Sequence, residues 1–448
     1  MTFPRIRNAL QLMRKLYCTK ISVAENIEKD VPLTKKLTQE NQHEMLANII
    51  TPLRNLDYSG QILMKKNWSK SLLNTIKTKH LPRFRTTLHG VIPSPRTTAY
   101  RNKDEFSVQI GVDGNPKTVG LFVGSGSEGE VISVFPSGLE NIREDHLEVA
   151  KVFEEFIRQS SLNACHRLND GGCWRSIQVR SNRQGEIMAT VIAHPAGIPE
   201  GEIDSIKENL VKHFQTKVTS LKSLYLQLCP HTRCNHQQAP YSLIYGNPYI
   251  FESIDSYTFR ISPESYIQNN TDSIPLLYER IFDFIDVNKQ YTILDLNCGI
   301  GAFSIFASSY VRGCIGIENS TLCVEDANCN AVKNNVKNCH FMYGSLEKEL
   351  KGILKELDST PYIIAVVNAG NIGLHDQVVK ILRRCVQLKK LVLFTGKADH
   401  PNAMRTIINF CRPKFDTSTP FYLSNVQPID MYPGTKYCDL IMLFQRAK

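Results

Sequence analysis

The fold is decided by residues 291–302, which read Tyr-Thr-Ile-Leu-Asp-Leu-Asn-Cys-Gly-Ile-Gly-Ala. The apolar run 292–296 predicts a buried strand, and Gly299-Ile300-Gly301 predicts a tight turn into a helix. Glycine lets the backbone approach a ligand at the carboxyl end of a strand, where open α/β sheets bind nucleosides. A dinucleotide-binding turn would carry a third glycine, but Ser304 stands there. These residues predict a nucleoside site of a different kind.

Short apolar strands and helices alternate around this stretch. The predicted strands are 292–296, 313–317, 339–343, 363–367 and 391–394, and the predicted helices are 302–309, 322–334, 346–357, 374–385 and 402–411. This alternation predicts parallel βαβ units and a doubly wound sheet. Two final strands, 421–426 and 437–444, have no helix between them. They are therefore predicted to pair as an antiparallel edge.

Glu318 ends the second predicted strand. A carboxylate at that strand end can accept hydrogen bonds from both hydroxyls of a ribose. With Gly299 and Gly301, it therefore forms a candidate nucleoside site. The alternative is a pair of turn glycines beside an exposed glutamate that binds nothing.

The upstream half of the chain shows a different pattern of predicted elements. Residues 25–88 predict a basic helical segment whose features include Trp68 and a cluster of lysines: Lys65, Lys66, Lys70, Lys77 and Lys79. A solvated helix face explains these charges as readily as contact with RNA does. Residues 89–255 contain short alternating runs separated by turns, which predict an α+β domain with hairpins, for example 175–180 with 187–193.

Composition limits the class of protein. The 448 residues suffice for two or three domains, and 42% hydrophobic with 21% charged residues is typical of soluble globular proteins. No apolar run approaches the roughly 20 residues that span a bilayer, so we expect no membrane association, and we expect a monomer. The net charge of +10 favours a polyanionic partner such as RNA. Thirteen cysteines without paired spacing predict reduced thiols instead of a disulfide framework.

The N-terminus predicts the location. Residues 1–24 hold five basic residues and no acidic one, and their apolar residues are at helical spacing. A basic amphipathic helix of this kind is typical of a mitochondrial transit peptide, which predicts a mitochondrial matrix protein. The alternative is a basic terminus without a targeting role.

Four metal-capable residues, Cys229, His231, Cys234 and His236, lie within eight positions. A zinc site usually separates two ligand pairs by a longer loop, so this spacing favours a structural loop over zinc. No metal site is therefore predicted.

Several motifs resemble those of the tRNA (uracil-5-)-methyltransferases. They are 259–271 (Phe-Arg-Ile-Ser-Pro-Glu-Ser-Tyr-Ile-Gln-Asn-Asn-Thr), the turn 295–301, and segments 315–318, 324–328, 366–368 and 373–375. Upstream, segments 51–56, 92–95, 100–103, 113–120, 171–175 and 232–238 resemble the animal mitochondrial members of that family. The resemblance covers nearly everything after about residue 45.

The resemblance implies a fold and a cofactor. Residues 256–448 would form a class I S-adenosylmethionine-dependent methyltransferase domain, Rossmann-like, with a mostly parallel sheet and an antiparallel last strand. An N-terminal α+β RNA-binding domain would precede it. S-adenosylmethionine is the implied cofactor, and its contacts would be Gln268, Asn297, Gly299, Gly301, Glu318 and Asn368. Asn297 and Asn368 depart from the usual aromatic and aspartate residues, yet an asparagine can still donate and accept hydrogen bonds.

The implied substrate is a uridine in RNA, in the T-arm of tRNA or in mitochondrial ribosomal RNA. Tyr100, Arg101 and Lys103, with Trp174 and Arg175, offer aromatic and cationic side chains that could stack on unpaired bases and neutralise phosphates. The alternative is ordinary strand packing with solvated charges.

The catalytic position departs from the family pattern. Family members add a cysteine thiolate to carbon 6 of uracil, which activates carbon 5 for methyl transfer, and a glutamate in the last strand then removes a proton. Here Gly396 holds the cysteine position and Asp439 the glutamate position. Thr395, Cys385, Cys411 and Cys438 are poor substitutes because covalent catalysis depends on accurate placement.

Three hypotheses remain open. The chain is an active RNA 5-methyluridine methyltransferase, a non-catalytic RNA-binding protein or RNA folding helper derived from one, or a methyltransferase that acts on another RNA atom by direct attack. Gly396 favours the second.

Overall fold

The computed structural model describes residues 37–81, 85–124, 131–168, 170–357, 359–360, 362–370, 373–413 and 418–446. The predicted transit peptide and the start of the predicted basic segment lie outside these ranges. The α-helices are α1 (Gln42–Ile50), α2 (Tyr58–Lys79), α3 (Glu144–Gln159), α4 (Ile203–Lys217), α5 (Ile274–Ile285), α6 (Ala302–Ala307), α7 (Thr321–Lys333), α8 (Leu346–Glu356), α9 (Asp376–Arg384) and α10 (Pro401–Cys411).

Strands β1 to β8 are Thr87–Leu88, Lys103–Gln109, Thr118–Val123, Ile132–Val134, Trp174–Ser181, Ile187–Ala193, Leu221–Leu228 and Tyr241–Gly246. Strands β9 to β17 are Ile250–Ile254, Tyr257–Ile261, Thr292–Leu296, Gly313–Glu318, Cys339–Tyr343, Ile363–Asn368, Leu388–Thr395, Phe421–Ile429 and Asp439–Arg446.

The C-terminal strands form an eight-stranded sheet in the order β13-β12-β11-β14-β15-β17-β16-β1. Strands β11 to β15 pair in parallel, whereas β17 is antiparallel to both β15 and β16. This is the methyltransferase sheet that the resemblance implied. The predicted antiparallel pair is confirmed, but its edge position is wrong, because the two-residue strand β1 adds in parallel outside β16.

Alternate residues of the central strands belong to two hydrophobic cores, one on each face of the sheet. Along β14, Ile364 and Val366 pack with α5, α6 and α7 on one face. Ile363, Ala365 and Val367 pack with α2, α8, α9 and α10 on the other. Burial on both faces explains why these strands read as continuous apolar runs. Parallel strands also bring their carboxyl ends to one edge, where the turn after β11 lies.

The upstream strands form a second sheet in the order β4-β3-β2-β5-β6-β7-β8. Its neighbours are antiparallel except for β6 and β7, and α1, α3 and α4 cover one of its faces. The predicted segment 25–88 is therefore not one unit. Its helix α1 packs on this second sheet, while α2 packs on the methyltransferase sheet.

Side chains of the second sheet hold the segment 262–271 of the methyltransferase domain. Asn102 donates to the carbonyl of Gln268 and to the hydroxyl of Thr271, at 2.9 Å each. From β5, Gln178 donates to the carbonyl of Pro263 and Arg180 to that of Ser265. The accessory sheet thus fixes the segment that carries Gln268. Within the described ranges, no helix is long and apolar enough to cross a membrane.

Candidate functional site

The turn after β11 has the backbone that a close ligand approach requires. Asn297, Gly299 and Gly301 have φ of 60°, 56° and 74°, in the left-handed region that glycine adopts most readily. A Cβ at Gly299 would lie 2.7 Å from the carbonyl oxygen of Tyr266. A Cβ at Gly301 would strike the ring of Phe341, so both glycines let the turn pack closely against its neighbours.

Glu318 lies beside this turn at the end of β12. One carboxylate oxygen accepts from the amide of Gly299 at 2.9 Å, and the other accepts from the amides of Asn319 and Ser320. Burial raises the pKa of Glu318, and the three amides oppose that rise. A carboxylate has about four acceptor positions and three are used, so the side chain is fixed with one position left, on the oxygen that Gly299 contacts, for a ribose hydroxyl.

A narrow cavity beside the turn brings together three of the predicted cofactor contacts: Gln268, Asn297 and Asn368. The amide of Asn297 donates to the carbonyl of Asn368 at 2.8 Å, which links β11 to β14. Tyr266 lines the same cavity; burial raises the pKa of its hydroxyl, and the nearby side chains of Asn368 and Gln268 oppose that rise. Tyr266 lies in the motif 259–271, but the sequence alone indicated no role for it.

Asp326 of α7 binds the polar side chains in the first half of segment 259–271. This buried carboxylate accepts from the amide and hydroxyl of Ser262, from the hydroxyl of Ser265 and from the guanidinium of Arg260. Sequence analysis missed this anchor, although the Ser-x-x-Ser spacing and the acid in segment 324–328 were visible. The anchor fixes the chain just before Tyr266 and Gln268.

Gly396 and Asp439 are the residues next to the last paired position of β15 and β17. The antiparallel register of β15 and β17 pairs Thr395 with Leu440, which places residue 396 opposite Asp439. Strand alternation points residue 396 to the same face as Phe394, whose ring lines the cofactor cavity. A family nucleophile and base at these two positions would face each other. Here the first of them has no side chain.

Thr395 cannot replace the nucleophile. Its hydroxyl donates to the carbonyl of Gly370 at 2.6 Å and accepts from the amide of Lys397. The residue is fully buried on the opposite face from Phe394. Beyond it, the Lys397 ammonium lies 5.2 Å from the ring centre of Tyr437, at the outer rim of the site.

Burial dominates the electrostatics of Asp439. It raises the pKa of this carboxyl from 3.8 to about 7, and Asp430 raises it further while Lys65 lowers it. One carboxylate oxygen of Asp439 is buried and has no hydrogen-bond partner among the described residues. A carboxyl group that titrates near neutrality suits a general base.

Lys65 was expected to lie on a solvated or RNA-contacting helix face, and this is wrong. Its side chain is 1% exposed, and its ammonium donates to Asp430 at 2.6 Å and to the carbonyl of Tyr432 at 3.0 Å. Tyr58 of the same helix donates to the second oxygen of Asp430. Helix α2 is thus anchored to the loop that precedes Asp439.

No described cysteine offers a thiolate beside Asp439. Cys438 is its neighbour, but its thiol contacts the carbonyl of Ile429, and burial raises its pKa far above the ordinary value. Cys385 and Cys411 lie at the ends of α9 and α10, as expected. Cys298 lines the cofactor cavity, but burial, together with Asp295 and Glu318, raises its pKa well above the ordinary value.

The predicted RNA-binding residues divide into two groups. Tyr100 and Trp174 are 4% and 1% exposed, so stacking of a base on either ring is ruled out and that prediction is wrong. Both rings fill the interior, because Tyr100 donates to the carbonyl of Pro433 and Trp174 packs edge-on against Phe153 and Phe156.

The cationic candidates are partly accessible. Arg101 is paired with Asp104 at 2.5 Å. Lys103 and Arg175 line an open cavity of about 600 Å³ on the free face of the second sheet. Burial, and then Arg180, lowers the pKa of Lys103 to about 7. Arg175 is committed to the carbonyls of Cys229, His231 and Thr232. Their contact with RNA stays a prediction.

The loop 229–239 corrects the expectation of reduced thiols. A disulfide joins Cys229 to Cys234, whose Cα atoms are 5.7 Å apart, within the usual range for such a bond. Arg175 and Gln227 gather the loop by binding its carbonyls, which brings the two cysteines together. In the part of the chain that the structure describes, no group of three or more His, Cys, Asp or Glu side chains could hold a metal ion.

The raised pKa of Asp439 gives stability a defined pH dependence. Between about pH 4 and 7 the folded state keeps a proton that the unfolded chain has released, so stability falls as pH rises through this window. We expect Asp439→Asn to raise the free energy of unfolding by about 2–4 kcal/mol at pH 8 and by almost nothing at pH 4.

Urea unfolding at both pH values measures this effect. Asp295, whose pKa burial also raises to about 7, is present in both proteins and cancels from the difference. The control is Asp399→Asn at an exposed position, which should change nothing at either pH. Equal effects of the two variants at pH 8 would contradict the assignment.

With this geometry established, comparison with known proteins identifies the domain. Residues 287–397 match a family model described as a methyltransferase domain. The Pyrococcus abyssi tRNA (uracil-54, C5)-methyltransferase, solved in complex with S-adenosyl-L-homocysteine, matches with a TM-score of 0.62. It is 19% identical and covers 88% of this chain and 83% of its own, a likeness that establishes the fold.

Sequence relatives establish the family. The tRNA (uracil-5-)-methyltransferase homolog B of Mus musculus is 37% identical over 94% of this chain and 91% of its own length. The human homolog B is 38% identical over 90% of this chain and 84% of its own. The mouse homolog A is 30% identical over 93% of this chain and 72% of its own. The chain therefore belongs to the tRNA (uracil-5-)-methyltransferase family.

Proposed function

We propose that this protein binds S-adenosylmethionine and structured RNA in mitochondria but does not form 5-methyluridine. One observation carries the proposal: the residue opposite Asp439 is Gly396, so the edge of the sheet that should present a nucleophile presents backbone alone. Without a thiolate at carbon 6, carbon 5 of uracil is too poor a nucleophile to accept a methyl group.

The residues at the turn fit S-adenosylmethionine, which is the cofactor of this fold. Glu318 would hold a ribose hydroxyl, Gly299 would admit the backbone approach, and Gln268, Asn297 and Asn368 would bind the polar amino-acid end. The cofactor would supply an electrophilic methyl group at the edge where Asp439 lies.

The RNA assignment follows from the family and from the charge of the chain. The relatives are named for tRNA, and the net charge of +10 favours a polyanion. We place the T-arm of tRNA and mitochondrial ribosomal RNA as the candidate ligands, and a role in RNA folding as the activity. The mitochondrial location rests on the sequence of residues 1–24.

A second candidate function is methyl transfer to another RNA atom by direct attack, with Asp439 as the base. The unpaired, buried carboxylate oxygen of Asp439 favours it, because a lost active site has no need to keep this costly group. Mass spectrometry of the nucleosides made from RNA, cofactor and purified protein distinguishes this function from the first.

The decisive experiment measures 5-methyluridine in purified mitochondrial RNA with and without the gene. The proposal expects an unchanged level. Loss of the nucleoside with the gene, and its return with the wild-type chain but not with a cofactor-site variant, would establish an active enzyme and overturn the argument from Gly396.

Cofactor binding can be tested directly through Glu318. We expect Glu318→Gln to weaken the binding of S-adenosylhomocysteine by about 10- to 100-fold, since a charge-assisted hydrogen bond contributes about 1.5–3 kcal/mol. Isothermal titration calorimetry measures the affinity. Glu325→Gln, on the exposed side of α7, is the matched control and should bind like the wild type. Equal affinities for both variants would show that the nucleoside lies elsewhere.

A further inference from the structure

Helix α2 has an unusual charge pattern for an exposed helix. Over its 22 residues it contains five lysines and no acidic residue. Lys65 is buried against Asp430, so it is not part of the surface. Lys66, Lys70, Lys77 and Lys79 are exposed, and none of them forms an ion pair within the described ranges. The lysines therefore repel one another without an internal partner.

Three of these lysines form a stripe. Lys66, Lys70 and Lys77 are spaced by four and seven residues, which places them on one face of the helix over about 16 Å. Lys79 lies on a different side. A stripe of this length presents its charge along a line, as the backbone of a nucleic acid does.

The stripe borders a groove between α2 and the edge strand β1. Its volume is about 760 Å³, and its lining includes Lys70, Lys77 and Arg85, with Asn67, Ser71 and Asn74 between them. Among the residues that the structure describes, no acidic and no aromatic side chain lines it. Trp68 of this helix packs against the methyltransferase core instead.

This lining selects the kind of partner. Proteins that bind single strands stack bases on aromatic side chains, which the described lining of the groove does not include. Duplex RNA is recognised through phosphates and 2′-hydroxyls by cationic and amide side chains, which it does offer. The groove therefore complements the backbone of a stem.

The position of α2 relates the groove to the site. Its first turns hold the loop that leads to Asp439, through Tyr58 and Lys65 on Asp430. The helix then runs away from the site, past Lys66 toward Lys77. A stem along the stripe would extend from a loop placed at the edge of the sheet.

We propose that the groove between α2 and β1, with the Lys66–Lys70–Lys77 stripe and Arg85, binds the phosphate backbone of an RNA stem next to the loop presented to the site. The inference rests on the proposed RNA-binding function and adds the surface that binds the stem. The contact is electrostatic and independent of sequence.

The test compares two triple variants that lose the same charge. Lys66→Gln with Lys70→Gln and Lys77→Gln removes the stripe. Lys348→Gln with Lys351→Gln and Lys355→Gln removes three exposed lysines from α8 on the methyltransferase domain. The probe is a T-arm stem-loop transcript, and binding of the full chain is measured by fluorescence anisotropy across a salt series.

We expect the α2 variant to bind about tenfold or more weakly. The slope of log K against log salt concentration should shrink by about 2–3, because each lost phosphate contact removes about 0.7–0.9. The α8 variant should match the wild type. A single-stranded oligouridine of equal length should bind the α2 variant and the wild type alike. Unchanged binding of S-adenosylhomocysteine by both variants checks the fold.

The remaining outcomes overturn the inference. If both triple variants weaken stem-loop binding equally, the loss reflects the net charge of the protein, and the groove is not a specific RNA-binding site. If the α2 variant keeps the wild-type affinity and slope, RNA binds elsewhere and only this inference fails. If the oligouridine loses as much affinity as the stem-loop, the ligand is a single strand. If the wild-type chain binds no RNA at all, the proposed function fails as well.

Discussion

Replacing Gly396 with cysteine should give this protein 5-methyluridine activity. We expect the Gly396→Cys/Asp439→Glu variant to form the nucleoside at least about 100-fold faster than the wild type, since an activated nucleophile and a placed base each contribute about 10²–10⁴ in rate. The register of β15 and β17 places the new thiol opposite the carboxylate.

The measurement is mass spectrometry of nucleosides from a T-arm transcript incubated with protein and cofactor. Gly396→Ser is the control, because it fills the same space with a hydroxyl that stays protonated near neutrality. Gly396→Cys alone should give a smaller gain, because aspartate reaches less far than glutamate. No gain in the double variant, with normal cofactor and RNA binding, would mean that the loss of function extends beyond these two positions.

Periodicity was sufficient for the methyltransferase sheet. Strands β11 to β14 and helices α7 to α10 were predicted to within about two residues, because the strands are apolar runs and the helices bury a regular apolar face. The parallel pairing of these strands followed from the alternation of the elements. By contrast, the two-residue strand β1 joins β16 by only two paired positions, which is too short a pattern for a sequence to reveal.

The wrong predictions share one cause, because each of these residues is buried by a partner that is distant from it in the sequence. Lys65 looks like its exposed neighbours until Asp430, 365 residues later, is placed beside it. Trp174 looked available for stacking until α3 covered it with Phe153 and Phe156. The resemblance to the family identified the residues of the site. Only the register of β15 and β17 showed that Gly396 and Asp439 lie on neighbouring strands at the same level.

The largest loss of stability should come from removing the charge of Lys65. We expect Lys65→Met to lower the free energy of unfolding by about 3–5 kcal/mol, because a buried Asp430 would keep its charge without a counterion. Urea unfolding at pH 7.5 measures the change. Lys66→Met, one residue away and exposed, should stay within about 0.5 kcal/mol of the wild type.

Two double variants separate the lost ion pair from lost packing. In Lys65→Met/Asp430→Asn the side-chain oxygen can still accept from the amide of Tyr432, and the side-chain NH2 can donate to the hydroxyl of Tyr58, so much of the lost stability should return. Lys65 also lowers the pKa of Asp439, so Asp439→Asn should stabilise the Lys65→Met protein more than it stabilises the wild type at pH 7.5. Additive effects in both doubles would mean that Lys65 acts through packing alone. Non-additive effects in both double variants would mean that α2 sets the charge state of Asp439. The helix that is proposed to bind RNA would then also control the candidate general base.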